Sequence, residues 1–310
     1  MRVLWRRLLF AVPVMWGVVT FVFLIIHLVP GDPVEVLLGE TASRVDRQAL
    51  RQELGLDRPL WQQYLTFLQR TLRADLGRSL YTHRQVRTLI AERLPATAIL
   101  AVAALLVAVV LALPLGIIAA LRPRSWLDTA SMVLALLGVS MPNFWLGPLL
   151  ILLFALHLGW LPVAGRGDGS LAYLVLPAIT LGTALMAILT RMTRAGMLEV
   201  LQQDYIRTAR AKGLSEWVVV GKHALRNTLI PLVTLLGLQG GALLSGAVIT
   251  EIIFAWPGLG ELTVRAIQQR DYPVVQGCVL IIALIYVLVN LIADLCCAWL
   301  DPRIHFDTPC

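Results

Sequence analysis

The sequence has little charge for its length. Only 15% of its 310 residues are Asp, Glu, Lys or Arg, whereas 58% are hydrophobic and the mean hydropathy is +0.78. Globular chains average about 25% charged and about 45–50% apolar residues. A soluble core could not hide this much apolar surface. The composition therefore excludes an ordinary soluble protein and indicates a membrane protein.

The sequence also lacks the motifs of common enzymes. Its only Gly-Lys pair, Gly221-Lys222, is followed by His223 and has no glycine at the position that a phosphate-binding loop requires. The zinc-protease pattern H-E-x-x-H and the hydrolase pattern G-x-S-x-G are absent as well. The chain alone is therefore not expected to bind ATP or to catalyse a reaction.

Cysteines are few and lie near the C-terminus, at Cys278, Cys296, Cys297 and Cys310, without a C-x-x-C pair. Buried small hydrophobic residues are favoured over a disulfide or a metal site. The net charge of +7 comes from arginines beside or between apolar runs. We interpret it as a topology and lipid-headgroup signal rather than as a nucleic-acid site.

Long apolar runs dominate the rest of the chain. A membrane-spanning helix needs about 20 apolar residues, and six stretches qualify: Leu8–Val29, Ala96–Leu121, Leu127–Leu156, Tyr173–Met192, Leu229–Phe254 and Pro273–Leu300. Prolines inside them are tolerated as kinks, because neighbouring helices can satisfy the freed carbonyl groups. The sequence predicts an all-α, polytopic membrane protein with six transmembrane helices.

Arginine and lysine are concentrated in alternate short loops, which predicts that both termini face the cytoplasm. The segment between the first two spans then lies outside the cell. Within it, Asp46–Leu54 and Leu60–Leu72 have helical apolar spacing and predict a small helical cap on the outer membrane face. A packed connector and a docking site for a partner both remain open. The sequence therefore predicts three regions: the N-terminal tail with the first span, residues 1–30; the extracytoplasmic helical segment, residues 31–95; and the permease core with the other five spans, residues 96–310.

Few ionisable residues lie in or near the spans. Asp294 is well inside the last span, and an intramembrane acid is a functional hypothesis by default. A hydrogen-bonded structural acid and a transport or proton-relay role are both open for it. Asp128 and Glu251 lie close to predicted span ends, where a charge is less costly.

The loop between the fourth and fifth spans, residues 193–228, is here named the coupling loop. One short helix is predicted there, with an apolar stripe formed by Leu198, Leu201, Tyr205, Ile206 and Ala209. Acidic residues come early in it and basic residues late, which complements the helix dipole. Gly213 stands where a left-handed C-cap favours glycine, and Ser215 with Glu216 can start a second helix. Such a projection suits transmission of motion to a cytoplasmic partner, and an interfacial helix on lipid is the alternative.

Small residues recur on the fifth span at Gly237, Gly241 and Ser245, every four residues. Such a stripe permits close helix packing, or it lines a path for a polar solute. Proline and polar side chains on the third span add a second candidate element of that path. The candidate path residues are Ser140, Met141, Asn143, Gly241 and Ser245.

The coupling loop resembles that of the inner-membrane permeases of bacterial ABC importers, in the dipeptide, oligopeptide and nickel branch. The similarity is carried by Asp204-Tyr205-Ile206-Arg207-Thr208-Ala209-Arg210-Ala211-Lys212-Gly213-Leu214 and by His223 through Pro231. Arg207-Thr208-Ala209 replaces the family's Glu-Ala-Ala, and Gly213 keeps its spacing. Further similar runs are His27–Pro33, Leu54–Leu60, Gly138–Trp145, Trp256–Gly260, Arg270–Pro273 and Asp301–Ile304.

The resemblance implies a permease subunit in the bacterial inner membrane. It implies three kinds of partner besides membrane lipid: a second homologous permease, two ATPase subunits that hold ATP and Mg²⁺, and an extracytoplasmic binding protein. It places ATPase coupling at Asp204, Tyr205, Arg207, Thr208, Ala209, Arg210, Lys212 and Gly213. No cofactor or metal is expected in this chain. Small peptides are the favoured cargo, with glutathione or a nickel chelate as alternatives, and a secondary transporter is a competing class whose inverted repeats are not evident.

Overall fold

The computed structural model describes residues 2–28, 48, 51–52, 57–167 and 169–300, and within them the chain is helical with no named strand. Most of the predicted helix Asp46–Leu54 and the side chains of Ser245 and Asp294 lie outside the described part. The helices are α1 Arg2–Leu28, α2 Leu60–Leu72, α3 Val86–Leu121, α4 Trp126–Ser140, α5 Asn143–Leu150, α6 Ala172–Leu201, α7 Asp204–Ala211, α8 Glu216–Val218, α9 Leu225–Ile253, α10 Leu259–Gln268 and α11 Tyr272–Leu300. A π-helical stretch, Ile151–His157, follows α5, and another, Val219–Ala224, joins α8 to α9.

Every stretch predicted as a span lies largely on helix, which confirms the all-α class. Within the described residues, α3, α6 and the Tyr272–Ala293 part of α11 are each long and apolar enough to cross a membrane. The apolar part found in α1, Ala11–Leu24, is shorter. The exact number of six spans stays a prediction.

The third predicted span is not one straight helix. The chain bends by 108° between Trp126–Ser140 and Asn143–His157. Met141 has extended dihedral angles, φ −89° and ψ 113°, as favoured for a residue before proline. Pro142 also removes a backbone donor. The chain over Leu127–Leu156 therefore has a full break at Pro142 where a kink was expected, and the pair forms a broken span or a re-entrant segment.

The described residues divide into two compact units, one from Met1–Pro95 with Gly258–Ile285 and the other from Ala96–Pro257 with the chain from Tyr286 onwards. The predicted division into 1–30, 31–95 and 96–310 stays a prediction. In the first unit, Val86 and Ile90 pack against Leu259 and Cys278, whose thiol is fully buried as expected of a small hydrophobic residue. The buried Asp271 accepts hydrogen bonds from Ser79 Oγ at 2.5 Å and from the Leu80 amide at 3.2 Å. This carboxylate fixes the loop before α3 to the start of α11.

An alanine-rich column on α3 forms the core of the second unit. Its fully buried members recur every four residues, at Ala96, Leu100, Ala104, Ala108 and Ala112. They pack against buried leucines of α6, including Leu181 and Leu185. A Cβ atom at Gly182 would lie only 2.5 Å from the Ala104 carbonyl oxygen. The small residues thus let the backbones of α3 and α6 approach each other closely, and the bundle is built around that crossing.

Candidate functional site

The coupling loop contains a short amphipathic helix, α7, with the predicted charge order. Asp204 lies in its first turn and Arg210 in its last turn. The Thr208 hydroxyl donates to the Asp204 carbonyl oxygen at 2.9 Å. Ile206 and Ala209 are buried. The helix is thus anchored by its apolar side, with its charged ends placed favourably for the helix dipole.

Gly213 ends α7 in the predicted left-handed conformation, with φ +78°. Its amide donates to the Arg210 carbonyl at 2.9 Å, and the Leu214 amide donates to the Ala209 carbonyl at 3.4 Å. These two bonds form a Schellman motif, which satisfies carbonyl groups at the helix end. The predicted glycine cap is confirmed.

An ion pair bridges the two sides of this glycine turn. Arg210 Nε lies 2.8 Å from Glu216 Oε1, and Arg210 Nη2 lies 3.2 Å from Glu216 Oε2. Both side chains are exposed, so the pair orients the turn more than it stabilises the fold. The second helix starts at Glu216 as expected, although the Ser215 side chain makes no capping bond. It then continues without a break into α9.

The predicted single apolar stripe is wrong in two respects. Gln203 has ψ 147°, so helix α6 ends at Leu201 and a new helix begins at Asp204. Leu198 and Leu201 therefore belong to α6. Tyr205 is 42% exposed, and its hydroxyl accepts a hydrogen bond from Asn227 Nδ2 at 2.6 Å. The buried base of the loop is instead the cluster Ala120, Met197, Ile206, Ala209, Val219, Val220 and Ala224.

The outward side of the coupling loop combines charge with apolar surface. Asp204, Arg207 and Lys212 are exposed, and Arg207 lies 3.5 Å from Asp204 in a solvated pair. Leu214 is exposed and Trp217 is 90% exposed. The loop thus rests on a buried apolar cluster and exposes a face that is both charged and apolar. Such a face suits recognition of another protein surface.

The predicted path residues fall into two places. Ser140, Met141 and Asn143 lie at the 108° break, where Ser140 is exposed and the other two are half-buried. Gly241 is buried, and a Cβ atom there would lie 2.6 Å from Cε2 of Tyr286 on α11. A Cβ atom at Gly237 would clash with Ala293, one turn away along the same helix pair. The described part of the stripe is thus in packing contact with α11, and a role of these residues in the path stays a prediction.

Two buried polar contacts were not predicted from the sequence. The Asp128 carboxylate accepts hydrogen bonds from Arg194 Nε at 2.6 Å and from Arg194 Nη2 at 2.7 Å. This ion pair joins α4 to α6. Glu251 has no exposed area and accepts the Thr97 hydroxyl at 2.6 Å. Glu251 lies near the end of α9, as predicted, but its side chain is buried there rather than exposed. The partners of the first contact are 66 positions apart in the sequence and those of the second are 154 positions apart, so no local pattern could pair them.

Within the described ranges, no group of three potential metal-ligating residues is found.

Comparisons with known proteins agree with this architecture. Residues 112–306 match the family described as "Binding-protein-dependent transport system inner membrane component", and residues 1–101 match its N-terminal counterpart. A dipeptide transport system permease protein of Alkalihalophilus pseudofirmus is 44% identical over 97% of this chain and 98% of its own. A glutathione transport system permease protein of Escherichia coli O6:H1 is 43% identical over the same shares. A methionine ABC transporter solved in an inward-facing conformation superimposes with a TM-score of 0.57 at 19% identity, over 69% of this chain and 96% of that one.

Proposed function

The chain belongs to the family of binding-protein-dependent transport system inner membrane components, and we propose that it forms half of the path by which small peptides enter the cell. It is a permease subunit of an ABC importer and a multi-pass protein of the inner membrane. Such permeases act with ATPase and binding-protein partners. The observation that supports the proposal most directly is identity of 43–46% to dipeptide and di/tripeptide permeases along nearly the whole chain.

The proposed cargo is a dipeptide or tripeptide. Glutathione is the second candidate, because its permeases in the same family reach 43–45% identity to this chain. Both cargoes carry an amide backbone and charged ends. In this proposal the cargo meets the polar residues Ser140 and Asn143 at the break of the third span. Sites of this kind should hold a solute weakly, since conduction requires release as well as binding.

The proposed assembly pairs this chain with a second homologous permease and with two ATPase subunits. ATP and Mg²⁺ are bound by those subunits, and both termini of this chain face the cytoplasm with the coupling loop. The buried base of α7 and the glycine cap support that role, because they hold an exposed face in one orientation. Movement of a docked ATPase would then displace the loop as a unit.

A charge swap tests whether the coupling loop contacts the ATPase. We expect Arg210→Glu to reduce ATP-driven uptake of a radiolabelled dipeptide at least tenfold in proteoliposomes that contain the whole importer. The reversal places two acids opposite each other at positions 210 and 216 and changes the exposed face. The double variant Arg210→Glu with Glu216→Arg restores the ion pair but keeps the changed face.

The swap separates two roles of Arg210. Uptake that stays low in the double variant supports contact with the ATPase, whereas recovered uptake assigns Arg210 to the internal pair alone. Arg122→Glu, an equal change at an exposed site outside the coupling loop, serves as the control and should leave uptake unchanged. Full uptake by Arg210→Glu at normal abundance would refute the coupling role.

A further inference from the structure

Helix α2 contacts α1 well inside the predicted first span. The hydroxyls of Thr20 and Tyr64 are 2.8 Å apart, and the rings of Phe23 and Tyr64 pack edge to face at 5.3 Å. Helix α1 continues to Leu28. With a rise of about 1.5 Å per residue, these contacts lie roughly 7–12 Å before that end. Both contact residues belong to the apolar part of α1, Ala11–Leu24. Helix α2 is therefore level with the apolar part of its neighbour.

Three polar side chains of α2 find partners within the helix or just before it. Thr66 donates to the Gln62 carbonyl at 2.8 Å, and Thr71 donates to the Phe67 carbonyl at 2.8 Å. The side-chain Nε2 of Gln63 donates to the Arg58 carbonyl at 2.7 Å. Polar groups away from water need such partners. These bonds lower the cost of placing α2 beside hydrocarbon.

The apolar surface of α2 is wider than its contact with α1. Phe67 and Leu68 pack with α1 residues, whereas Trp61 is 62% exposed, Leu65 is 46% exposed and Leu72 is 79% exposed. At 100° per residue, these three exposed residues form one stripe beside the contact side. Gln69 and Arg70 lie on the remaining, polar arc. The helix carries no acid, and its only charge is Arg70.

We propose that α2 is immersed in the outer leaflet, with the stripe of Trp61, Leu65 and Leu72 against phospholipid acyl chains and the Arg70 side facing the headgroups. The leaflet assignment rests on the proposed orientation of the chain. Interfacial helices bury their apolar face about 5–10 Å into this zone, which matches the level of the α1 contacts. Arg70 can extend its charged end to the water. The stripe thus anchors the segment before α3 to the membrane.

Spin labels on α2 test this placement in the whole importer, reconstituted into phosphatidylethanolamine and phosphatidylglycerol vesicles. Single cysteines replace Leu65, Leu72 or, as the matched control, Arg70, in a background without the native cysteines. The measurement is the accessibility of each label to oxygen, which is enriched in acyl chains, relative to a water-soluble nickel chelate. We expect this ratio to be at least fivefold higher at positions 65 and 72 than at position 70.

A second measurement needs no cysteine. The difference in fluorescence between the wild type and Trp61→Phe isolates Trp61, and we expect lipids brominated on their acyl chains to quench it more than aqueous iodide does. High nickel accessibility at all three labelled sites would overturn the proposal in favour of a water-exposed helix. Low accessibility to both reagents at positions 65 and 72 would overturn it in favour of a protein partner. Peptide uptake is measured separately, so failure of the transport proposal would leave the lipid contact standing.

Discussion

Gly213 and Gly182 lie in two regions of the second unit that differ in packing, the turn after α7 and the crossing of α3 with α6. A Cβ atom at Gly213 would meet nothing within 4 Å, but its φ is +78°. A Cβ atom at Gly182 would lie 2.5 Å from the Ala104 carbonyl oxygen. Conformation thus favours glycine at the turn, and space requires it in the bundle. The turn is an exposed surface with a defined shape, whereas the bundle depends on close backbone contact.

The largest effect should follow Gly182→Ala, because the obstructing atom belongs to the backbone and cannot rotate away. We expect the free energy of unfolding to fall by about 3 kcal/mol, which is the upper end of the usual range for overpacked sites. The measurement is the thermal unfolding of the purified importer in detergent. Gly221→Ala is the control, since its Cβ would meet nothing within 4 Å and the residue is helical. Equal melting temperatures for the two variants would show that the crossing has room for a methyl group at Gly182.

An intermediate effect is expected for Gly237→Ala, whose new methyl group would lie against the side chain of Ala293 and 3.1 Å from its Cα. We expect the free energy of unfolding to fall by about 2 kcal/mol. The second change Ala293→Gly should recover much of it, because it removes the obstructing methyl group. Thermal unfolding of the two single variants and the double variant gives the coupling. Additive losses would mean that this part of the stripe does not pack on α11, and would favour its exposure to a path.

The smallest effect on stability is expected at Gly213. Alanine has room there, so Gly213→Ala should cost only about 1–2 kcal/mol for the left-handed conformation. Gly213→Asn should cost less, since asparagine tolerates this conformation. The ratio of peptide transported to ATP hydrolysed in proteoliposomes should fall more for alanine than for asparagine. The same ratio for both variants and the wild type would show that the turn conformation is not needed for coupling.

Local patterns predicted much of the fold. Apolar runs predicted where most long helices lie, the spacing of Leu60 through Leu72 predicted α2, and Gly213 predicted the end of α7. In each case the signal and its structural cause lie within a few residues of each other. The α3 column of small residues carries the same four-residue spacing as the glycine stripe. It could have been recognised by the same rule for close helix packing.

Other features depend on tertiary structure or have ambiguous local signals. Gln202-Gln203 separates α6 from α7 without glycine or proline, so the sequence favoured one continuous helix. Pro142 was compatible with either a kink or a full break, because membrane bundles tolerate proline. The buried Glu251 is hydrogen-bonded by Thr97 of another helix, and no pattern near Glu251 in the sequence indicates this partner. The half-exposed Tyr205 is likewise paired with Asn227, 22 residues further along the chain.

The uninterrupted join between α8 and α9 has a mechanical consequence. From Glu216 through the π-helical Val219–Ala224 to Ile253, no residue leaves helical structure. This length amounts to roughly 55 Å. Within it, the π-helical stretch and Pro231 inside α9 are the two places where such a helix can bend. A push on Glu216 is therefore transmitted toward the far end near Glu251 through these two points, and their stiffness sets how much of the displacement arrives there.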